Sequence, residues 1–132
     1  MAARALVLAL AVGLAVFGIV SRHDEDRCQA AGVSLFRAVA DKDPVTTRIV
    51  GDYTGACRGS HLLAIAANNL AATGHVRQAV ALSDEAIRRE AGNWEGWAAL
   101  AAALRRRGLD AAADRALRRT RELNPRWGRA PG

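Results

Sequence analysis

Residues 94–127 read WEGWAALAAALRRRGLDAAADRALRRTRELNPRW, and their pattern already stands 34 residues earlier: Leu70, Gly74 and Ala79 recur as Leu104, Gly108 and Ala113. Leu63 likewise maps onto Trp97, and Ala67 onto Ala101. A period of this length belongs to a helix pair that buries its apolar face only against a neighbouring pair. Aromatic residues are 5% of the chain, Gly and Pro fall mostly between periodic segments, and no strand-like alternation persists, so an all-α domain is expected. Each repeat is predicted to hold an A helix and a B helix, at 60–73 with 75–90 and at 93–107 with 110–123. Gly74 and Gly108 end the A helices, where a left-handed residue suits Gly best. Asn93 is placed to cap the second A helix. The small residues Ala67, Ala79, Ala101 and Ala113 allow close approach, and Leu63, Trp97, Leu100 and Leu104 fill the gaps.

Upstream, Cys28 and Cys57 are the only cysteines, and Asp41-Lys42-Asp43-Pro44 lies midway between them. That tetrapeptide signals a turn, with Asp43 as a cap and Pro44 as the first residue of the next helix. Cys28, Gly32, Leu35, Phe36 and Val39 follow helical spacing on one side, as do Val45, Ile49, Val50 and Tyr53 on the other. Folding back about this turn sets Phe36 near Ile49 and Cys28 near Cys57, so a disulfide is expected. The hairpin also aligns faintly with the 34-residue pattern, Phe36 with Leu70 and Val45 with Ala79. It reads as a degenerate first repeat or as a separate capping hairpin, with about three helix hairpins in total either way. Gly51 and Gly55 are expected to mark close helix contact or fraying.

Residues 5–20 are sixteen consecutive apolar or Gly residues, with Arg4 before them and Ser21-Arg22-His23-Asp24-Glu25-Asp26 after. As a helix they span roughly 24 Å, at the short end for a bilayer crossing. Gly18-Ile19-Val20 makes a poor cleavage site, which favours an uncleaved anchor over a removable signal. Flanking arginines would keep the domain in the cytoplasm, whereas the cysteine pair favours an oxidising compartment; the latter is preferred, giving a single-pass membrane protein with its domain outside the cytoplasm. The expected segments are an anchor at 1–21, the hairpin at 22–58, two repeats at 59–125 and a short tail at 126–132.

The net charge of +6 is accounted for by residues 105–132, where nine Arg face Asp110, Asp114 and Glu122. No aromatic platform interleaves these arginines, so GC-rich coding explains them more simply than a polyanion site. The competing reading is a cytoplasm-facing basic module that binds anionic lipid or nucleic acid through the Arg-rich C-terminal helices.

Residues 60–127 resemble two tetratricopeptide repeats. Trp97, Leu100, Ala101, Leu104, Gly108, Ala113, Leu117 and Pro125 fall on the family's framework positions in the second copy, and Leu63, Leu70, Gly74 and Ala79 do so in the first. Ala66, Ser83 and Ala91 depart from the pattern. The resemblance implies a non-enzymatic scaffold that binds a protein or peptide. It also implies an inner face of A-helix positions, here His61, Ala64, Asn68 and Ala71, then Glu95, Ala98, Ala102 and Arg105. Only Asn68 and Arg105 are similar to the basic clamp that some members use. The expected site is an alanine-lined groove for a helix or extended segment, and the last B helix offers an edge to another protein, a second copy or a folded-back Trp127.

No motif for nucleophilic, phosphate, dinucleotide or zinc chemistry occurs. Cys57 and His61 match no standard zinc spacing. No catalytic residue, metal ligand or cofactor is therefore expected, and His23, His61 and His75 read as solvated or capping residues. Glu85 with Arg88 and Arg89 reads as a surface ion pair of small worth. Together these readings describe a membrane-anchored adaptor that assembles or stabilises a cell-envelope complex.

Overall fold

The computed structural model describes the backbone of residues 2–128 and, within the first helix, side chains from Val20 onward. Among these residues the fold is all-α: α1 (Ala2–Ala40), α2 (Thr47–Ala56), α3 (Ser60–Ala72), α4 (Val76–Arg89), α5 (Trp94–Arg106) and α6 (Asp110–Leu123). Each boundary has a local cause. Gly74 (φ +89°) and Gly108 (φ +74°) take the left-handed conformation that ends α3 and α5, after which His75 N–H bonds Leu70 O and Leu109 N–H bonds Leu104 O. Asn93 Oδ1 accepts from Glu95 N at 3.0 Å and starts α5.

α3 packs on α4 and α5, α5 packs on α4 and α6, and α1 packs on α2, which reaches α4. One apolar cluster runs from Leu35 through Val45, Val50 and Tyr53 to Leu63, Leu70, Leu82, Ala99 and Ala103. Gly96 lets α5 approach closely, since a Cβ there would meet Ile87 Cγ1 at 3.2 Å. Ser83 is wholly buried and its hydroxyl has no partner among the described residues, a polar flaw where a bulky apolar side chain would pack.

The N-terminal hairpin departs from expectation in several details. The turn falls at Asp41 and Lys42, with Lys42 at φ +59°, but the next helix begins at Thr47 rather than Pro44. Thr46 Oγ1, not Asp43, caps it by accepting from Ile49 N, and the intervening Val45 is buried while its carbonyl accepts from Gln78 Nε2 at 2.7 Å. Phe36 is 38% exposed, and its neighbours Leu35 and Ala38 face the core instead. Gly51 and Gly55 look into open space, whereas Gly32 is the close approach, 3.5 Å from Tyr53 Cε2 if given a Cβ. The Cys28 and Cys57 sulfurs lie at bonding distance, 2.06 Å.

The hairpin is also not placed on α3 as α3 is placed on α5. Gly96, Ala99 and Ala103 of α5 are buried, yet the residues 34 earlier, Leu62, Ile65 and Asn69, are exposed. The hairpin instead meets α4 through α2, and Tyr53 Oη donates to Leu62 O at 3.1 Å.

The single-pass membrane location is corrected. Among the described residues no helix is long and apolar enough to cross a membrane. The described side chains of α1 include Arg22, Asp24, Glu25, Asp26, Arg27 and Arg37, and the apolar run before them gives roughly 24 Å against a hydrocarbon core of about 30 Å. The side chains of residues 2–19 lie outside the described set, as do residues 129–132 of the expected tail.

Glu85 is more than a surface partner. It bonds Arg88 (Nε, 2.8 Å) and Arg89 (Nε, 2.6 Å), and Arg89 carries the contact onward to Cys57 O at 2.6 Å and Thr54 O at 2.8 Å. Those carbonyls belong to the C-terminal turn of α2, so the guanidinium satisfies groups that the helix cannot pair itself. Hydrogen bonds from Arg88 and then Arg89 hold the Glu85 carboxyl below its ordinary range. A folded-state pKa below the unfolded one contributes stability above the unfolded value and loses it as pH falls through the folded value. Glu85→Gln is therefore expected to lower stability by about 1 kcal/mol at pH 7. In urea titrations of both proteins, that difference is expected to shrink as the pH is lowered from 7 to 3.

Candidate functional site

The shift of 34 residues becomes a side-by-side placement of α3 and α5. His61 Nδ1 bonds Glu95 Oε2, which stand 34 apart, and Asn93 Nδ2 donates to Ser60 Oγ at 3.2 Å, with Ser60 in turn bonded to Glu90. These bonds tie the amino-terminal ends of the two helices together. Ser60 is the first residue of α3 and Gly59 precedes it as the cap, so the hydroxyl is free to join this network.

Between α3 and α5 lies a groove of about 630 Å³. Its floor is Ala64, Ala98, Ala99, Ala101 and Ala102, with Ile65, Asn68 and Asn69 on one wall and Trp94, Arg105 and Arg106 on the other. Leu117 and Trp127 close the far side. Alanine leaves the helix backbones near the surface, so an entering segment meets little side-chain bulk. Arg105 Nη2 is held by Asp114 Oδ1 at 2.8 Å, whereas no ion pair engages Arg106 among the described residues. Asn69 Nδ2 is turned onto Ile65 O at 3.1 Å, while the Asn68 side chain is exposed and has no hydrogen bond among the described residues.

Of the residues expected on the inner face, Ala64, Asn68, Glu95, Ala98, Ala102 and Arg105 line this groove. Two do not. Ala71 is buried in the core, and His61 stands beyond the lining with its ring on Glu95. Ile65, Trp94, Leu117 and Trp127 were not expected there. For Trp94 and Ile65 a signal existed, since each adjoins an inner-face position and is too large to be hidden by one. Trp127 turns into the groove rather than over the outer side of α6; the turn that brings it there has Trp127 N bonded to Asn124 O at 3.0 Å.

Of the residues expected on a repeat framework, Leu63, Leu70, Ala79, Ala101 and Ala113 are buried, Trp97, Leu100, Leu104 and Leu117 are half-buried, and Gly74, Gly108 and Pro125 are exposed. Trp97 keeps its indole N–H on Ala91 O at 3.0 Å, which fixes the loop before α5. Comparisons with protein-family models, with curated proteins and with solved structures found no match.

Proposed function

We propose that the protein is a non-enzymatic interaction module of the tetratricopeptide type, holding a peptide segment or helix of a protein partner in the groove between α3 and α5. The observation that supports this reading is the gathering of the half-buried Ala98 and Ala102 with Ile65 and Asn68, above the buried Ala64, beside two tryptophans and two arginines. A groove of about 630 Å³ accepts several side chains of a bound segment. Its apolar floor supplies burial, Trp94 and Trp127 supply broad rigid contact surfaces, and Asn68 with Arg106, which have no side-chain partner among the described residues, can bond the partner's backbone or carboxylates. The other ionisable groups of the groove are engaged within the chain, Glu95 by His61 and Arg105 by Asp114. The 34-residue displacement of α3 onto α5 supports the repeat assignment, with the disulfide-linked hairpin acting as a cap beside the first repeat.

Photo-crosslinkers placed at Ala98 and Ala102, with Ala111 on the exposed side of α6 as control, test this reading in cells that express the protein. Adducts with one protein are expected from the two groove positions and not from Ala111. Adding Asn68→Asp and Arg106→Asp is expected to reduce them at least tenfold. Equal adducts from all three positions, or adducts indifferent to the two substitutions, would remove the assignment.

A further inference from the structure

The two ends of the α3–α6 stack are open in complementary ways. Inside the chain, α5 turns Gly96, Ala99 and Ala103 toward the first helix pair, and Leu63, Ala66 and Leu70 of α3 lie wholly buried in the joint core. Shifted by 34 residues, these sets identify two further faces. The counterparts of Gly96 and Ala99 are Leu62 and Ile65, which are 41% and 43% exposed. The counterparts of Leu63, Ala66 and Leu70 are Trp97, Leu100 and Leu104, which floor a trough of about 510 Å³ between α5 and α6. One end therefore carries an apolar edge in the position from which α5 docks, and the other carries the surface that receives such an edge.

Charge follows the same division. Asp24 and Glu25 share a notch with Leu62 and Arg58, where among the described residues Arg58 pairs with Asp24 alone, at 3.5 Å. Arg115, Arg118 and Arg119 border the trough, and among the described residues only Arg119 has a carboxylate partner, Glu122 at 2.9 Å. An acidic apolar edge and a basic apolar trough on one molecule attract and orient a second copy.

We propose that copies of this chain associate head to tail, with the Leu62 and Ile65 edge of one copy seated on Trp97, Leu100 and Leu104 of the next. Asp24 and Glu25 then face Arg115 and Arg118 across the joint. Such a contact pairs two different patches, so it generates rings or open chains of copies instead of a closed pair. It rests on the way α5 sits against α3, and it shares Ile65 with the wall of the groove.

Sedimentation velocity of the full chain at low salt, over a hundredfold range of concentration, reads the association. The mass is expected to climb from the 14.0 kDa monomer past that of a dimer, and to fall when salt is raised. The double variants Arg115→Glu/Arg118→Glu and Asp24→Lys/Glu25→Lys are each expected to sediment as monomers with unchanged helical circular dichroism. Mixing the two in equal amounts restores opposite charge at every joint, so association is expected to return. A monomer at all concentrations, a species that stops at a dimer, variants that associate as the parent does, or a mixture that fails to recover would each overturn the proposal.

Discussion

Removing the disulfide is expected to cost roughly 3 to 4 kcal/mol and to release the N-terminal hairpin before the rest of the fold. The bond joins positions 29 apart in sequence, and closing a loop of that length restricts the unfolded chain by about this amount. Against a total of about 5 to 15 kcal/mol for a small domain, the loss is large. The place of the bond makes it local as well. The substantial packing of α1 is on α2, and α2 in turn reaches the remainder through α4, Tyr53 and the Arg89 cap. Helices α3 to α6 share extensive packing of their own. Cys28→Ala/Cys57→Ala is the suitable variant, because Cys57 is buried and a serine hydroxyl there would lack a partner. In hydrogen exchange, amides of α1 and α2 are expected to lose protection while those of α3 and α5 largely keep it. Reductant is expected to lower the midpoint of the parent protein and leave the variant unmoved. An unchanged urea midpoint in the variant would show that packing alone holds the hairpin.

What the sequence disclosed was whatever local chemistry dictates. Gly74 and Gly108 were readable as left-handed stops because only glycine takes that conformation cheaply, and Asn93 as a cap because its carboxamide oxygen reaches the amide of Glu95. The pairing of His61 with Glu95, 34 residues apart, is the spatial form of the repeat period. The errors lie where helical phase or tertiary docking decides. Leu35 and Phe36 are adjacent, about 100° apart around the helix, and spacing alone allowed either to face inward; the core took Leu35. Burial of Val45 moved the start of α2 from Pro44 to Thr47, a tertiary demand that no capping rule contains. Arg89 illustrates the same limit, since an arginine four residues after a glutamate reads as an ion pair, and its reach to the end of α2 follows only from where the hairpin docks.

The groove was legible to the extent that it follows the helix period. Ala64 and Asn68, with Ala98 and Ala102, recur at four-residue spacing, so they share a face once α3 and α5 lie side by side. Ala71 falls on the same stripe in projection, but it is taken into the core. Trp127 could not be placed from spacing because it follows the last helix, and a turn sets its direction.

Truncating Leu70 is expected to cost about 3 kcal/mol, and truncating Leu104, its counterpart 34 residues on, only about 1 kcal/mol. The two side chains are chemically identical and occupy matching places in matching helices, so local propensity cancels in the comparison. Their surroundings differ. Leu70 is 0% exposed in the cluster shared by α3, α4 and α5, where its removal leaves a cavity that neighbouring helices cannot collapse. Leu104 borders the open trough, where solvent already reaches it and takes the place of the lost atoms. The difference of about 2 kcal/mol therefore measures what the next helix pair contributes by covering the first. Urea unfolding of Leu70→Ala and Leu104→Ala, carried out on dilute protein so that no second copy covers the trough, checks it. Equal losses would mean that α5 adds nothing to the burial of α3, which would contradict the packing from which both the groove and the proposed head-to-tail joint are built.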